Sequence, residues 1–153
     1  MKMTKFDFET NTNRRTIIYP EVCVWYGSLT VANLTKDTDL QTRLIKRFEF
    51  LLTPEGTNRL PVRVHVDDHV FGAVPFEIYL QTKDQRYLEL GKRYADQQWE
   101  KTTPDGIAAE ARYWSDDMFM LPAVQVQAYR ATGDAKYIDR AALTMAAYLD
   151  KLQ

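Results

Sequence analysis

A chain that repeats itself cannot be read as a string of independent elements, because each copy buries its apolar face against its neighbours. Two turns in this sequence match, Thr53-Pro54-Glu55-Gly56 and Thr103-Pro104-Asp105-Gly106, 50 residues apart. At the same offset Tyr79-Leu80-Gln81-Thr82-Lys83-Asp84 aligns with Tyr129-Arg130-Ala131-Thr132-Gly133-Asp134, and Tyr87 and Tyr137 follow. An earlier Thr-x-Asp turn, Thr35-Lys36-Asp37, stands 47 residues before Thr82. Independent markers that share an offset imply three copies of a unit of about fifty residues.

Each copy holds two kinds of helix. The first is apolar nearly all round: Val22 to Leu34, Val70 to Leu80, Met118 to Ala128. A helix without a polar face is a buried one. The second is amphipathic. Leu40, Leu44, Phe48 and Leu52 recur every four residues. Tyr87, Leu88, Gly91, Tyr94, Ala95 and Trp99 keep a similar register, as do Tyr137, Ile138, Ala141, Met145, Leu149 and Leu152. Gly133 suits the left-handed position that ends a helix, and Asp84 or Asp134 can cap the next one. Pro104-Asp105-Gly106 reads as a type I turn. Buried and amphipathic helices in alternation make two layers, the arrangement of an α/α toroid, although periodicity alone also allows an open solenoid of hairpins. Pro75 and Pro122 are tolerated only in a first helical turn, so the regular inner helices are expected to begin near them.

The reading is therefore all-α, a single domain over residues 1–153 built as helical hairpins of an (α/α)6 toroid. About three of six hairpins are present, an N-terminal half barrel. Such a half-ring would expose inner apolar surface and is expected to self-associate or to be of low stability. Twenty basic residues against 21 acidic ones exclude a simple polycationic nucleic-acid binder. The lone Cys23 excludes a disulfide framework and a cysteine-cluster zinc site, and fits a small core residue. No apolar run reaches the roughly 20 residues of a membrane span. The start, Met1 to Asp7, lacks the apolar region of a signal peptide.

Chemistry-bearing residues collect where the inner helices begin. Asp67-Asp68 opens the second copy's inner helix and Asp116-Asp117 the third's. Acids there cap the helix and complement its dipole. If successive inner helices start at the same end, the carboxylates also meet across a common mouth, where paired charge can leave one of them holding a proton. Tyr19, Trp25 and Tyr26, then Phe71, then Tyr113 and Trp114 stand beside these acids, and aromatic faces next to carboxylates suit a sugar. Arg59, Arg63 and Arg112 flank the same loops and could receive a ligand carboxylate. His65 and His69 bracket Asp67-Asp68, but Val62 to Val66 alternates like an extended segment, so a metal site is not expected there. His69 is read instead as a substrate contact. No phosphate loop and no nucleophile elbow is present.

The segments Trp114-Ser115-Asp116-Asp117-Met118-Phe119-Met120-Leu121-Pro122 and Ala131-Thr132-Gly133-Asp134-Ala135-Lys136-Tyr137 carry a resemblance. So do Tyr19-Pro20-Glu21 and Val66-Asp67-Asp68-His69-Val70-Phe71-Gly72. Over residues 16 to 152 the chain resembles the unsaturated rhamnogalacturonyl hydrolases of glycoside hydrolase family 105 and the related unsaturated glucuronyl hydrolases of family 88. The resemblance implies a bacterial enzyme of cytoplasm or periplasm that needs no cofactor. It implies a substrate oligosaccharide ending in a 4,5-unsaturated uronic acid, left by a pectin or rhamnogalacturonan lyase, and hydration of its C4=C5 bond. It maps the general acid/base onto Asp116 and the second acid onto Asp67 or Asp68; the spacing to Gly72 slightly favours Asp67, which leaves Asp68 as a substrate contact. It maps further substrate contacts onto Tyr19, Trp25 and Trp114. Asp105 stands where characterised family 105 members often carry histidine. Two other readings compete: a non-catalytic helical-hairpin interaction module, and another α/α-toroid glycosidase acting by direct displacement. Convergence of the Asp116 carboxylate with Asp67 or Asp68, within about one sugar's width, separates a catalytic mouth from a mere scaffold.

Overall fold

The computed structural model describes residues 16–152, so the Met1 to Asp7 start lies outside the described residues. Among these, one isolated bridge between Thr102 and Ala108 is the whole of the β pairing, and every regular element is helical. The first hairpin is α1 (Tyr19–Thr35) with α2 (Thr38–Glu49), which runs on into a 3-10 turn, Phe50–Leu52. In the second, α3 (Val66–His69) passes through a 3-10 turn, Val70–Gly72, into α4 (Ala73–Thr82), which pairs with α5 (Gln85–Gln97). The third is α6 (Asp117–Thr132) with α7 (Ala135–Leu152). The chain forms two compact units, one ending at Val62 and holding the first hairpin, the other starting at Arg63 and holding the remaining two.

The repeat extends to the turns inside each hairpin. Lys36, Lys83 and Gly133 each end a first helix in the left-handed region, with φ of 57°, 62° and 73°. Only one is glycine, so Lys36 and Lys83 take a conformation that costs an L-residue about 1–2 kcal/mol. The aspartate that follows then caps the second helix. Asp37 accepts the Leu40 N–H at 2.9 Å, Asp84 that of Arg86 at 3.0 Å, and Asp134 that of Lys136 at 3.0 Å. Thr82 and Thr132 donate back to the Ile78 and Ala128 carbonyls and accept the Asp84 and Asp134 N–H groups. The two Thr-Pro-x-Gly turns differ, however. At Gly106 the backbone has φ 79° and its N–H closes a turn on the Thr103 carbonyl at 2.9 Å. At Gly56 the requirement is space, because a Cβ there would sit 1.8 Å from the Phe50 carbonyl oxygen.

The prolines behave unequally. Pro75 lies in the first turn of α4, as its missing N–H requires. Pro122 lies inside α6, which begins five residues earlier, so the expectation that this helix starts near its proline is corrected. An interior proline loses one backbone hydrogen bond. The burial of Leu121, Pro122, Val124 and Ala128 offsets that loss.

In the second unit α6 packs against α4, α5 and α7, which gives it protein on most sides. Its polar residues are consequently spent inside the unit. Gln125 Nε2 donates to the Ala95 carbonyl and to Gln98 Oε1, both at 2.8 Å, and ties α6 to α5. Gln127 Nε2 donates to the buried Glu77 at 3.0 Å and ties α6 to α4. The buried stripe of α7 is Tyr137, Ala141, Thr144 and Tyr148, whereas Leu149 and Leu152 of the expected apolar face are exposed. Thr144 can be buried because its hydroxyl donates to the Arg140 carbonyl. Tyr148 is drawn inward by a carboxylate at the head of α6.

Candidate active site

Each inner helix of the second unit is entered through the same device. The Arg63 backbone N–H donates to Asp68 Oδ2 at 3.0 Å, and its guanidinium donates to both carboxylate oxygens at 3.2 and 2.6 Å. At the head of α6, the Arg112 backbone N–H donates to Asp117 Oδ2 at 2.9 Å, while its guanidinium holds Oδ1 at 3.0 and 2.5 Å. An arginine five residues before the second aspartate therefore clamps that aspartate in both copies. The loop between them is closed by charge-assisted bonds, the strong kind. This equivalence pairs Asp68 with Asp117 and leaves Asp67 paired with Asp116.

The clamped members are structural. Asp117 is wholly buried and accepts two further donors, the Tyr148 hydroxyl at 2.7 Å and the Trp114 N–H at 3.4 Å. Burial pushes its carboxyl up, but the bonds from Arg112 and Tyr148 and the two backbone N–H groups outweigh it, and the group lies below the usual carboxylate range. Burial and the Asp117 charge together push the Tyr148 phenol well up. The same tyrosine accepts the Tyr113 N–H at 3.2 Å. Tyr113 needs that anchor, because at φ 57° it holds a strained backbone between Arg112 and Trp114. Its hydroxyl donates to Asp105 at 3.1 Å, which gives that turn residue a local partner.

Asp67 and Asp116 are the members left accessible, their side chains 27% and 51% exposed. Both face one atom. Arg112 Nη2 lies 3.7 Å from Asp67 Oδ1 and 3.3 Å from Asp116 Oδ2. Two oxygens on a common nitrogen can be no farther apart than those distances end to end, 7.0 Å. The Arg112 guanidinium also covers the Trp114 ring, 4.4 Å from its centroid, and Trp114 is 60% exposed. Two carboxylates, one guanidinium and an open indole face thus share one end of the second unit. Arg112 is not the free receptor for a ligand carboxylate that its position in the sequence suggests, since three carboxylates of the chain already surround it.

Other expected contacts are placed differently. His69 is buried, with Nδ1 at 2.6 Å from Glu110 Oε2, and its ring is not presented to the surface. His65 accepts the Asp67 N–H on Nδ1 at 3.2 Å and so caps α3. Among the described residues no three His, Cys, Asp or Glu side chains are grouped as a metal ion would require. In the first unit Tyr19, at the head of α1, is 42% exposed. Trp25 is a core residue instead: it is fully buried, its indole N–H donates to the Leu44 carbonyl at 3.3 Å, and its ring meets Phe48 edge-on at 5.4 Å. A ring with no free face cannot stack on a ligand. Sequence reasoning missed the clamp, although the shared spacing of Arg63 to Asp68 and Arg112 to Asp117 was there to be read. It also missed Glu110, which no local pattern marks.

No curated protein and no solved structure gives a significant match to this chain. A family model does, that of Glycosyl Hydrolase Family 88, and it matches residues 1–153. The helical hairpins agree with the α/α-toroid reading of the sequence. The chain belongs to glycosyl hydrolase family 88, and so to the glycoside hydrolases.

Proposed function

We propose that this chain carries the acid pair of an enzyme that hydrates the C4=C5 bond of unsaturated uronic acids at the ends of oligosaccharides, with Asp116 as general acid/base and Asp67 as its partner. The convergence of these two accessible carboxylates on Arg112 carries the reading, and it favours Asp67 over the clamped Asp68 as the second acid. In this chemistry Asp116 delivers a proton to C4 while water adds its oxygen to C5 and gives up a proton to a carboxylate. The resulting hemiketal opens to a ketone at C5. C1 is then a hemiacetal that expels the hydroxyl of the neighbouring sugar, so one water is consumed for each sugar released. Trp114, exposed beside the pair, supplies a face for a pyranose ring.

The test follows the ultraviolet absorbance of the unsaturated uronate, which vanishes when the double bond is hydrated. Rhamnogalacturonyl and glucuronyl disaccharides are compared. Asp116→Asn is expected to cost about 10²- to 10⁴-fold in kcat, the usual weight of one acid/base group. Wild-type turnover in that variant refutes the role of Asp116. Release of sugar from saturated substrates, or from unsaturated ones with the double bond left intact, refutes the hydration route in favour of direct displacement.

A further inference from the structure

We propose that Arg112 is the positioning residue of the acid pair: it holds Asp67 and Asp116, which belong to different hairpins, turned toward one point. The inference rests on the reading of those two acids given above. Two carboxylates repel each other, and each could rotate toward solvent, since both side chains are partly exposed. What stands between them is a guanidinium that is itself immobilised. Its backbone N–H, Nε and Nη2 are all bonded to the buried Asp117, and its plane lies over Trp114. The second Nη2 hydrogen goes to Asp116 Oδ2 at 3.3 Å, and Asp67 Oδ1 is drawn to 3.7 Å of the same nitrogen as an ion pair. A planar fork with fixed donors can serve several carboxylates at set angles, which a single ammonium cannot. The second copy shows which part of this is extra. Arg63 makes the same clamp on Asp68, yet its side chain is 71% exposed, and Asp67 acts on it only through the weakest of its electrostatic influences. The clamp is therefore the structural duty common to both arginines, and the bridge from Asp67 to Asp116 is a duty of Arg112 alone.

The experiment compares Arg112→Lys with Arg63→Lys in the full-length protein, reading kcat and KM on the unsaturated disaccharides and Tm for each. Lysine keeps the positive charge beside the buried aspartate but loses the fork. Arg112→Lys is expected to lose about 10- to 100-fold in kcat with KM changed less than about threefold, the cost of misplacing reacting groups by an ångström or less. Arg63→Lys is expected to keep kcat within about twofold. Wild-type kcat in Arg112→Lys overturns the proposal, as does an equal loss in both variants, which would mark a general structural effect. A crystal structure of the wild-type protein is the second readout and does not depend on either variant folding. An Arg112 guanidinium more than about 4 Å from either Asp67 or Asp116 overturns the proposal. Absence of wild-type turnover on these substrates instead refutes the proposed function, and the crystal geometry then still decides the bridge.

Discussion

Tyr148→Phe removes one oxygen from the buried end of the second unit and leaves the ring volume unchanged, so no cavity term enters. Its hydroxyl donates to Asp117 at 2.7 Å and accepts the Tyr113 N–H at 3.2 Å. A hydrogen bond to a charged acceptor is worth about 1.5–3 kcal/mol, and a backbone N–H left without an acceptor adds roughly 1 kcal/mol. The expected loss is about 2–4 kcal/mol. At roughly 2–4 °C per kcal/mol for a chain of this size, Tm falls by about 4–16 °C. Tyr137→Phe is the internal control, on the same helix. Its hydroxyl meets Asp96 at 3.2 and 3.3 Å, but that carboxylate is 46% exposed and also has Lys136 and Arg140 beside it. Water replaces the lost bond there, and the expected cost stays below about 1 kcal/mol. Thermal unfolding followed by circular dichroism measures both. The pH dependence adds a sign. Asp117 has its pKa lowered on folding, so its contribution is full above the ordinary carboxylate pKa and is lost as the pH falls through the lowered one. The gap between wild type and Tyr148→Phe should accordingly narrow in acid. Equal shifts for the two tyrosines, or a Tyr148→Phe shift of about 1 °C or less, would refute the view that buried Asp117 is the keystone of this loop.

Two further outcomes test the packing. Lys36→Gly relieves the left-handed backbone at the end of α1, where the side chain is exposed, and is expected to raise stability by about 0.5–1 kcal/mol in a chemical denaturation curve. A loss of stability would mean that the lysine side chain matters more than its backbone angle. Gly91→Ala sets two effects against each other. Alanine favours a helix by about 0.8–1 kcal/mol, but its Cβ would lie 2.8 Å from the buried Phe76 ring. Overpacking of about 1–3 kcal/mol should win, so the same denaturation experiment is expected to show net destabilisation.

The local parts of this fold were legible because their causes are local. Thr82-Lys83-Asp84 and Thr132-Gly133-Asp134 stop one helix and start the next through bonds that span at most four residues. The alternation of all-round apolar and amphipathic helices likewise needs only the helical period. That much established hairpins, their number and the end at which the acids stand.

The resemblance singles out Asp116 over Asp117, but the sequence does not settle which of Asp67 and Asp68 is free. Adjacent residues differ by about 100° around a helix, and the choice between Asp67 and Asp68 depends on where the loop from Arg63 crosses the helix head. The resemblance makes Trp25 a ligand contact and the helix mouth does the same for His69, because a side chain near an acid looks the same in sequence whether it faces outward or in. Burial against Phe48 and pairing with Glu110 decided otherwise. The meeting of Asp67 with Asp116 on Arg112 was decided only when the second and third hairpins packed together. Spacing along a chain determines contacts within a few residues. Contacts between residues tens of positions apart exist only once apolar burial has brought their helices together, and the candidate site of this protein is made of contacts of that kind.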